Sequence, residues 1–524
     1  MTPPPHRPRH KKTSEVSRRT FIAGVGATAA GAAAIGALPA VTGHDAADAA
    51  TPADRFGRMF PGLPPFAPAS DQLRAAMIDI GKPGGVLDAR DPLNEGPIRL
   101  ITNPELSPRN RDNPFQTAGT TFFGQFLDHD MTFDQTSELG IPKDPEASPN
   151  TRTPALDLDT VYGLGPTLSP QLYQSDGIKL RIESGGQFED LPRQADGTAI
   201  IGDPRNDENI MIAGIQAAMI LAHNRTVDLM QSQGVPLSQR FAKARELLTW
   251  HYQWIIVNEF LPQVISFGVT QDILHHGRRF YRPEPGPAFI PVEFQGAAYR
   301  FGHSMVRPSY RANLLGDRNA AGQPAPFFGF IFDPAGEGQA DPVDLRGGRR
   351  APRRFIGWGT FFQFNDGNVR PNKRIDRNLS TALFNLPLST IPTGAPPTAL
   401  PQRNLLRQIT WNIPSGQRIA NTMGWAAVTC PELAQYGLGL ENNTPFWYYC
   451  LAEAELINDG IHLGPAAGRM IGEVFIGLLQ LDPKSYLRAA PAGWRPTLPT
   501  TTPNDFKMTD LLRWARVDPT SRGQ

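Results

Sequence analysis

Only two of the 524 residues are cysteine, Cys430 and Cys450. Two cysteines cannot make a disulfide framework, and no Cys/His cluster has the spacing of a zinc site. Sequence separation leaves open whether the two pair or stay as buried thiols. An excess of charge of one sign is also missing. The 51 basic and 50 acidic residues leave a net charge of +1, which is no footprint for nucleic acid or another polyanion. No stretch reads as a stable membrane span, and no internal repeat is visible. Runs of period two bounded by hairpin turns are few, which argues against a large sheet. What the chain has in quantity is Gly (50) and Pro (52), so long loops are expected. Length alone suggests several domains, but no interior linker separates two cores. The expectation is a mainly α chain: one large helical domain over residues 51–524, with long loops and little sheet.

Residues 1–50 read as targeting rather than fold. A basic, Pro-rich start leads to Ser17-Arg18-Arg19-Thr20-Phe21-Ile22, which resembles the twin-arginine export motif. A Gly/Ala-rich apolar run over residues 21–41 follows, and Ala47-Asp48-Ala49 offers a small-residue cleavage site. The expectation is a secreted or extracytoplasmic protein, with the twin-arginine export machinery as a partner. That route carries folded proteins, often with a cofactor inside.

The most informative stretch is Thr120-Thr-Phe-Phe-Gly-Gln125-Phe-Leu-Asp128-His129-Asp130. On a helix each residue turns by about 100°, so Asp128, His129 and Asp130 point three ways and cannot share one job. Gln125, four residues before His129, shares its face. The plain alternative is an acidic turn at a helix end. Further on, Asp203 and Pro204 form a cap and first-turn pair. They predict a long buried helix from Arg205 to about Met230, with Arg205 and Glu208 on one face of its first turn. A second long helix is predicted over residues 238–267, and a shorter one over 291–306 carrying Arg300 and His303. Residues 308–350 read as loop. Shorter helices are predicted at 70–80, 355–364, 379–384, 405–408, 416–423, 445–459 and 465–480.

Thr153, Asp157 and Asp159 place oxygen donors at alternate positions of a tight loop, and the Ala155 carbonyl can add another. That donor set suits calcium. The glycine and terminal glutamate of an EF-hand are lacking, and one short loop rarely fills six ligand places. Asp130, turned away from the His129 face, is the candidate distant ligand. A capped acidic turn is the alternative. His303, with Arg300 one turn before it, is either a hydrogen-bonded core histidine or a ligand.

Taken in order, these motifs resemble the animal-type haem peroxidase (peroxidase-cyclooxygenase) superfamily, over residues 124–407. Residues 462–479 are similar to its C-terminal helices. The expectation is a bacterial, secreted member. The resemblance implies haem b and Ca2+ as cofactors. It makes His129 the distal histidine, Gln125 its pocket partner and Arg205 the distal arginine. His303 becomes the proximal iron ligand and Asn404 the partner of its imidazole. Arg300 and Arg407 fall near the haem propionates. Asp130, Thr153, Ala155, Asp157 and Asp159 become the calcium site. Asp128 and Glu208 match carboxylates that in mammalian members form ester bonds to haem. Asn209 replaces a methionine bonded to haem in one mammalian enzyme, so no sulfonium link is implied.

The run after Asn404 departs from the family's usual pattern, and residues 355–362 lack the radical tyrosine of the fatty-acid oxygenase branch. The implied activity is therefore a haem peroxidase that reduces hydrogen peroxide and oxidises halide, thiocyanate or small phenolic donors. The alternatives are a fatty-acid dioxygenase of the same fold and a non-catalytic secreted matrix or adhesion protein.

Overall fold

The computed structural model describes residues 56–348, 350–391 and 393–524. The proposed signal segment, residues 1–50, lies outside them. Helices and loops dominate, and the sheets described are four separate two-stranded pairs. The chain is mainly α with little sheet, as its patterning predicts. Among the described residues no helix is long and apolar enough to cross a membrane.

Helix α1 (Asp71–Ile80) starts where Ser70 Oγ accepts the Leu73 N–H at 3.1 Å, a side-chain cap that satisfies one of the helix's free donors. It buries Leu73, Ala76, Met77 and Ile80. Helix α2 (Gly119–Met131) carries the Asp-His-Asp run and buries ten of its side chains or backbone positions, Phe122, Phe123, Phe126 and Leu127 among them. At its first residue, Gly119, the Phe362 ring occupies the space a Cβ would take.

The long apolar helix differs from the expectation at its start. Asp203 does cap, accepting the Arg205 N–H at 2.9 Å, but it caps a short 3-10 turn, Pro204–Asp207. The chain kinks there, and helix α3 (Ile210–Ser232) begins afresh with Asn209 Oδ1 accepting the Ile212 N–H at 3.0 Å. Asparagine competes for such cap positions, so two caps six residues apart make two elements. Arg205 and Glu208 therefore sit on the turn before α3. The helix itself is buried on most faces, including Met211, Ile212, Ile215 and Met219. Each fully buried side chain of that kind contributes roughly 1.5–3 kcal/mol.

Helix α4 (Leu237–Ile255) continues through one wider turn, Ile256–Phe260, and a last segment, Leu261–Ile265. Ser266, at φ +77°, then breaks it, and Phe267–His276 starts a new helix. The predicted helix over 291–306 is instead three pieces: Val292–Gln295, the 3-10 turn Ala298–Phe301, and Gly302–Met305. Residues 308–350 are not all loop. They hold an antiparallel hairpin, β1 (Ser309–Arg318) with β2 (Pro324–Phe330), with shifts in register that mask its alternation. Helix α5 (Leu400–Thr410) is longer than the predicted 405–408. Helices α6 (Phe446–Asn458) and α7 (Pro465–Leu481) close the core. Cys430 and Cys450 are both buried free thiols.

Candidate active site

Helix α2 turns its three ionisable side chains as its periodicity requires. Gln125, Asp128 and His129 line one cavity of about 280 Å³, while Asp130 points to the opposite side. His129 is buried, and burial pushes its imidazole down to about 3, so it is neutral. Its Nδ1 lies 2.7 Å from Asn206 Oδ1. The Asn206 amide nitrogen donates to Thr160 Oγ1 (2.7 Å) and Gln216 Oε1 (2.8 Å), which fixes the amide with its oxygen toward the ring. Nδ1 therefore carries the proton, and Nε2 is left as the lone-pair nitrogen.

Arg205 is held from three sides. It donates to both Asp203 oxygens (3.1 and 2.8 Å) and to the His129 and Thr132 carbonyls (3.2 and 2.6 Å). Its guanidinium lies 4.0 Å from the Phe133 ring centre. Burial would raise the Asp203 carboxyl, but Arg205 and Arg152 outweigh it and hold the group below the usual carboxylate range. The Arg205 Nη1 sits 3.9 Å from Asp128 Oδ2. Burial pushes the Asp128 carboxyl up and Glu208 up to about 8. Gln125 Nε2 donates to Glu208 at 3.0 Å, and Asn209 Nδ2 donates to Gln125 Oε1 at 3.2 Å.

His303 lines the same cavity. Ser304 Oγ donates to the Asp376 carbonyl (2.6 Å) and accepts the Asp376 N–H (2.9 Å), which locks its turn. Burial, and then the Arg300 charge, push His303 down to about 3. Asn404 Nδ2 donates to His303 Nδ1 at 2.8 Å, and Arg300 Nη1 donates to Asn404 Oδ1 at 3.1 Å. Burial lowers Arg300 to about 10. Arg407 pairs with Asp134 at 2.7 Å, and Arg403, which the sequence reading missed, donates to the Ala395 and Pro397 carbonyls. Among the described residues neither Arg300 nor Arg403 has an ion-pair partner. Two guanidinium groups unpaired at one cavity favour an anionic occupant. Two neutral imidazoles and two unpaired arginines lining one cavity fit a porphyrin carrying two carboxylates.

On the far side of α2, carboxylate oxygens of Asp130, Asp157 and Asp159 lie within 4.8 Å of one another. Asp130 accepts the Leu158 and Thr160 N–H groups (3.1 and 3.4 Å) and the Tyr252 hydroxyl (3.0 Å). Leu158, at φ +60°, turns the loop so that its amides reach Asp130, a conformation uncommon for such a residue. Burial, then the charges of Asp157 and Asp159, push the Asp130 carboxyl well up. Arg152 and Arg245 approach Asp159 and Asp157 at 3.3 and 3.8 Å. Thr153 shares the loop, its N–H on Asp159 Oδ2 at 3.3 Å and its carbonyl accepting from the Ala155 N–H at 2.8 Å. The cluster itself comprises the three carboxylates.

The fold is shared with solved peroxidase and dioxygenase structures. Peroxidase A from Dictyostelium discoideum superposes with a TM-score of 0.52 at 16% identity, over 77% of this chain and 85% of that one. A fatty acid alpha-dioxygenase from Oryza sativa gives 0.54 at 14% identity, over 78% and 73%. Residues 138–335 match the family described as animal haem peroxidase. The chain is 30% identical over 169 residues to the chorion peroxidase of Drosophila melanogaster, covering 29% of this chain and 21% of that protein. Against the thyroid peroxidase of Rattus norvegicus it is 26% identical over 192 residues, covering 32% and 20%. These alignments span about a fifth of the relatives' length.

Proposed function

We propose that the protein is a haem peroxidase that reduces hydrogen peroxide and oxidises halide, thiocyanate or a small phenol. The observation that carries this reading is the pair of neutral imidazoles, His129 and His303, lining one cavity together with Arg205, Arg300, Arg403 and Arg407. Haem held by His303 would supply the redox centre at which an O–O bond is cleaved and from which a donor is oxidised. His129 Nε2 is free to take a proton from peroxide and return it to the departing oxygen. Arg205, fixed by Asp203, presents positive charge to the oxygen that gains electrons.

His303 can offer Nε2 to a metal only when its Nδ1 keeps the proton, and then the Asn404 amide must turn its oxygen to the ring. Arg300 holds that amide the other way round. A carboxylate that draws Arg300 away releases it, so propionate binding and iron ligation favour each other. Asp128 and Glu208, both lining the cavity, are the candidates for ester links to haem. Asp130, Asp157 and Asp159, with loop oxygens from Thr153 and Ala155, are the candidates for Ca2+. Because Asp130 adjoins His129 on α2, the ion would steady the imidazole. Export by the twin-arginine route, proposed from Arg18-Arg19 and the run that follows, suits a protein folded around a cofactor.

The test is an absorption spectrum of the purified protein, then peroxide with iodide or guaiacol. A Soret band and peroxide-dependent oxidation support the reading. A dioxygenase is the second reading, favoured by the apolar arm of the cavity formed by Ile331, Phe332, Leu383, Leu386 and Ile391. Oxygen uptake with palmitic acid and no peroxide would select it.

A further inference from the structure

Outside the residues that line the cavity, α4 carries part of a cluster of partly exposed aromatic rings. Trp254 and Trp494 have centroids 6.0 Å apart, Trp254 and Tyr486 5.9 Å, Tyr486 and Trp494 5.8 Å, and Trp250 and Trp494 5.5 Å. All four side chains are partly exposed. The Arg495 guanidinium lies 5.6 Å from the Trp254 ring centre, and Trp254 differs from Trp250 in the partner of its indole N–H. Its Nε1–H donates to a carboxylate, Asp505 Oδ1, at 3.2 Å, whereas the Trp250 indole donates to the Lys484 carbonyl. A carboxylate on an indole N–H stabilises positive charge on the ring and can take its proton. Asp505 Oδ1 also accepts the Phe506 N–H, and Lys507 lies 3.8 Å from Oδ2.

A route of rings leads from the cavity toward this cluster. Phe260 lines the cavity and lies on the continuation of α4. It contacts Phe123 at 5.9 Å, and Phe123 contacts Tyr252 at 6.1 Å. Tyr252 is two residues from Trp254 on α4, and the two rings are separated by about one helix diameter, roughly 10 Å.

We propose that Trp254 is a surface oxidation site for phenolic donors too large to enter the cavity, a reading that rests on the peroxidase function above. In each one-electron step Trp254 gives an electron inward to the centre oxidised by peroxide, and its Nε1 proton passes to Asp505. The docked phenol then returns one electron to the indole while Asp505 hands its proton back to Nε1, and the phenol releases its own proton to solvent and leaves as a phenoxyl radical. Two such steps supply the two electrons, and solvent the two protons, that peroxide takes up in becoming water.

The experiment compares the holoenzyme with Trp254→Phe, Trp254→Tyr and Asp505→Asn, using peroxide with iodide and with a phenol tethered to soluble dextran. The expected result is that Trp254→Phe keeps the iodide rate and loses the dextran-phenol rate. Trp254→Tyr, which keeps an oxidisable ring, restores part of it, and Asp505→Asn is slowed. Freeze-quenched wild type treated with peroxide alone should show a tryptophanyl radical by electron paramagnetic resonance that Trp254→Phe lacks. A Trp254→Phe enzyme that oxidises dextran-phenol as fast as wild type overturns the proposal. So does a wild type active on iodide but not on dextran-phenol. A wild type inactive on both donors overturns the peroxidase reading itself.

Discussion

The amide oxygen of Asn206 stands 2.7 Å from Nδ1 of His129, and the amide cannot turn round because its nitrogen is committed to Thr160 and Gln216. One asparagine therefore selects the tautomer in which Nε2 is the proton acceptor. His129→Ala should slow the peroxide step by about 10²–10⁴-fold, the usual worth of a positioned acid–base group. Asn206→Leu should lose part of that while binding haem normally. Stopped-flow consumption of peroxide at matched Soret absorbance measures both, and an unchanged rate in Asn206→Leu contradicts the role.

Calcium should stabilise the protein through Asp130, Asp157 and Asp159. At a hundredfold excess over its dissociation constant, a ligand bound only by the folded state adds about 2.7 kcal/mol. Wild type stripped by chelator should melt at lower temperature and recover on adding Ca2+. Asp130→Ala should melt low and not respond. A wild type indifferent to both treatments removes the metal from the account.

Burial holds His129 and His303 at about 3, and His223 and His251 at about 4. In the unfolded chain each titrates near 6.5. Between those values the unfolded state binds more protons, so apoprotein stability should fall as pH drops from about 6.5 toward 3–4. Glu208, raised to about 8, and Glu259 and Glu453, raised to about 7, act the other way: they weaken the fold as pH rises from about 4.5 toward those values. Denaturant midpoints of the apoprotein across this range test the first trend. His251 Nε2 accepts the Thr497 and Leu498 N–H groups, bonds that protonation must break. A midpoint flat from pH 6.5 to 4 is the contrary outcome.

Asp128 and Glu208 both line the cavity, where the proposed ester links to haem would form. Acid denaturation should then leave haem on the chain, and Glu208→Gln should let more of it go. Complete extraction of haem from wild type into acidified organic solvent contradicts the links.

The three-way divergence of Asp128, His129 and Asp130 was legible because it needs only helical periodicity. The Asp203 cap was legible for the same local reason. The kink between Asn206 and Asn209 was not, since a second cap becomes visible only when the first fails to propagate. The β1–β2 hairpin escaped notice because its register shifts and its Pro and Gly residues blur a period of two. Asn206 and Arg403 were missed because their roles depend on partners far along the chain: Thr160 for the one, the 395–397 loop for the other. Asn206 did leave a trace, as an amide beside Arg205 at the head of an apolar helix.

The central claim is that residues 129 and 303 face each other across one haem. It is tested most directly by the absorption spectrum of protein purified from iron-replete cells, alongside His303→Ala. The account predicts a Soret band in wild type that is lost or shifted in His303→Ala. A wild type without a Soret band, or one whose spectrum His303→Ala leaves unchanged, contradicts it.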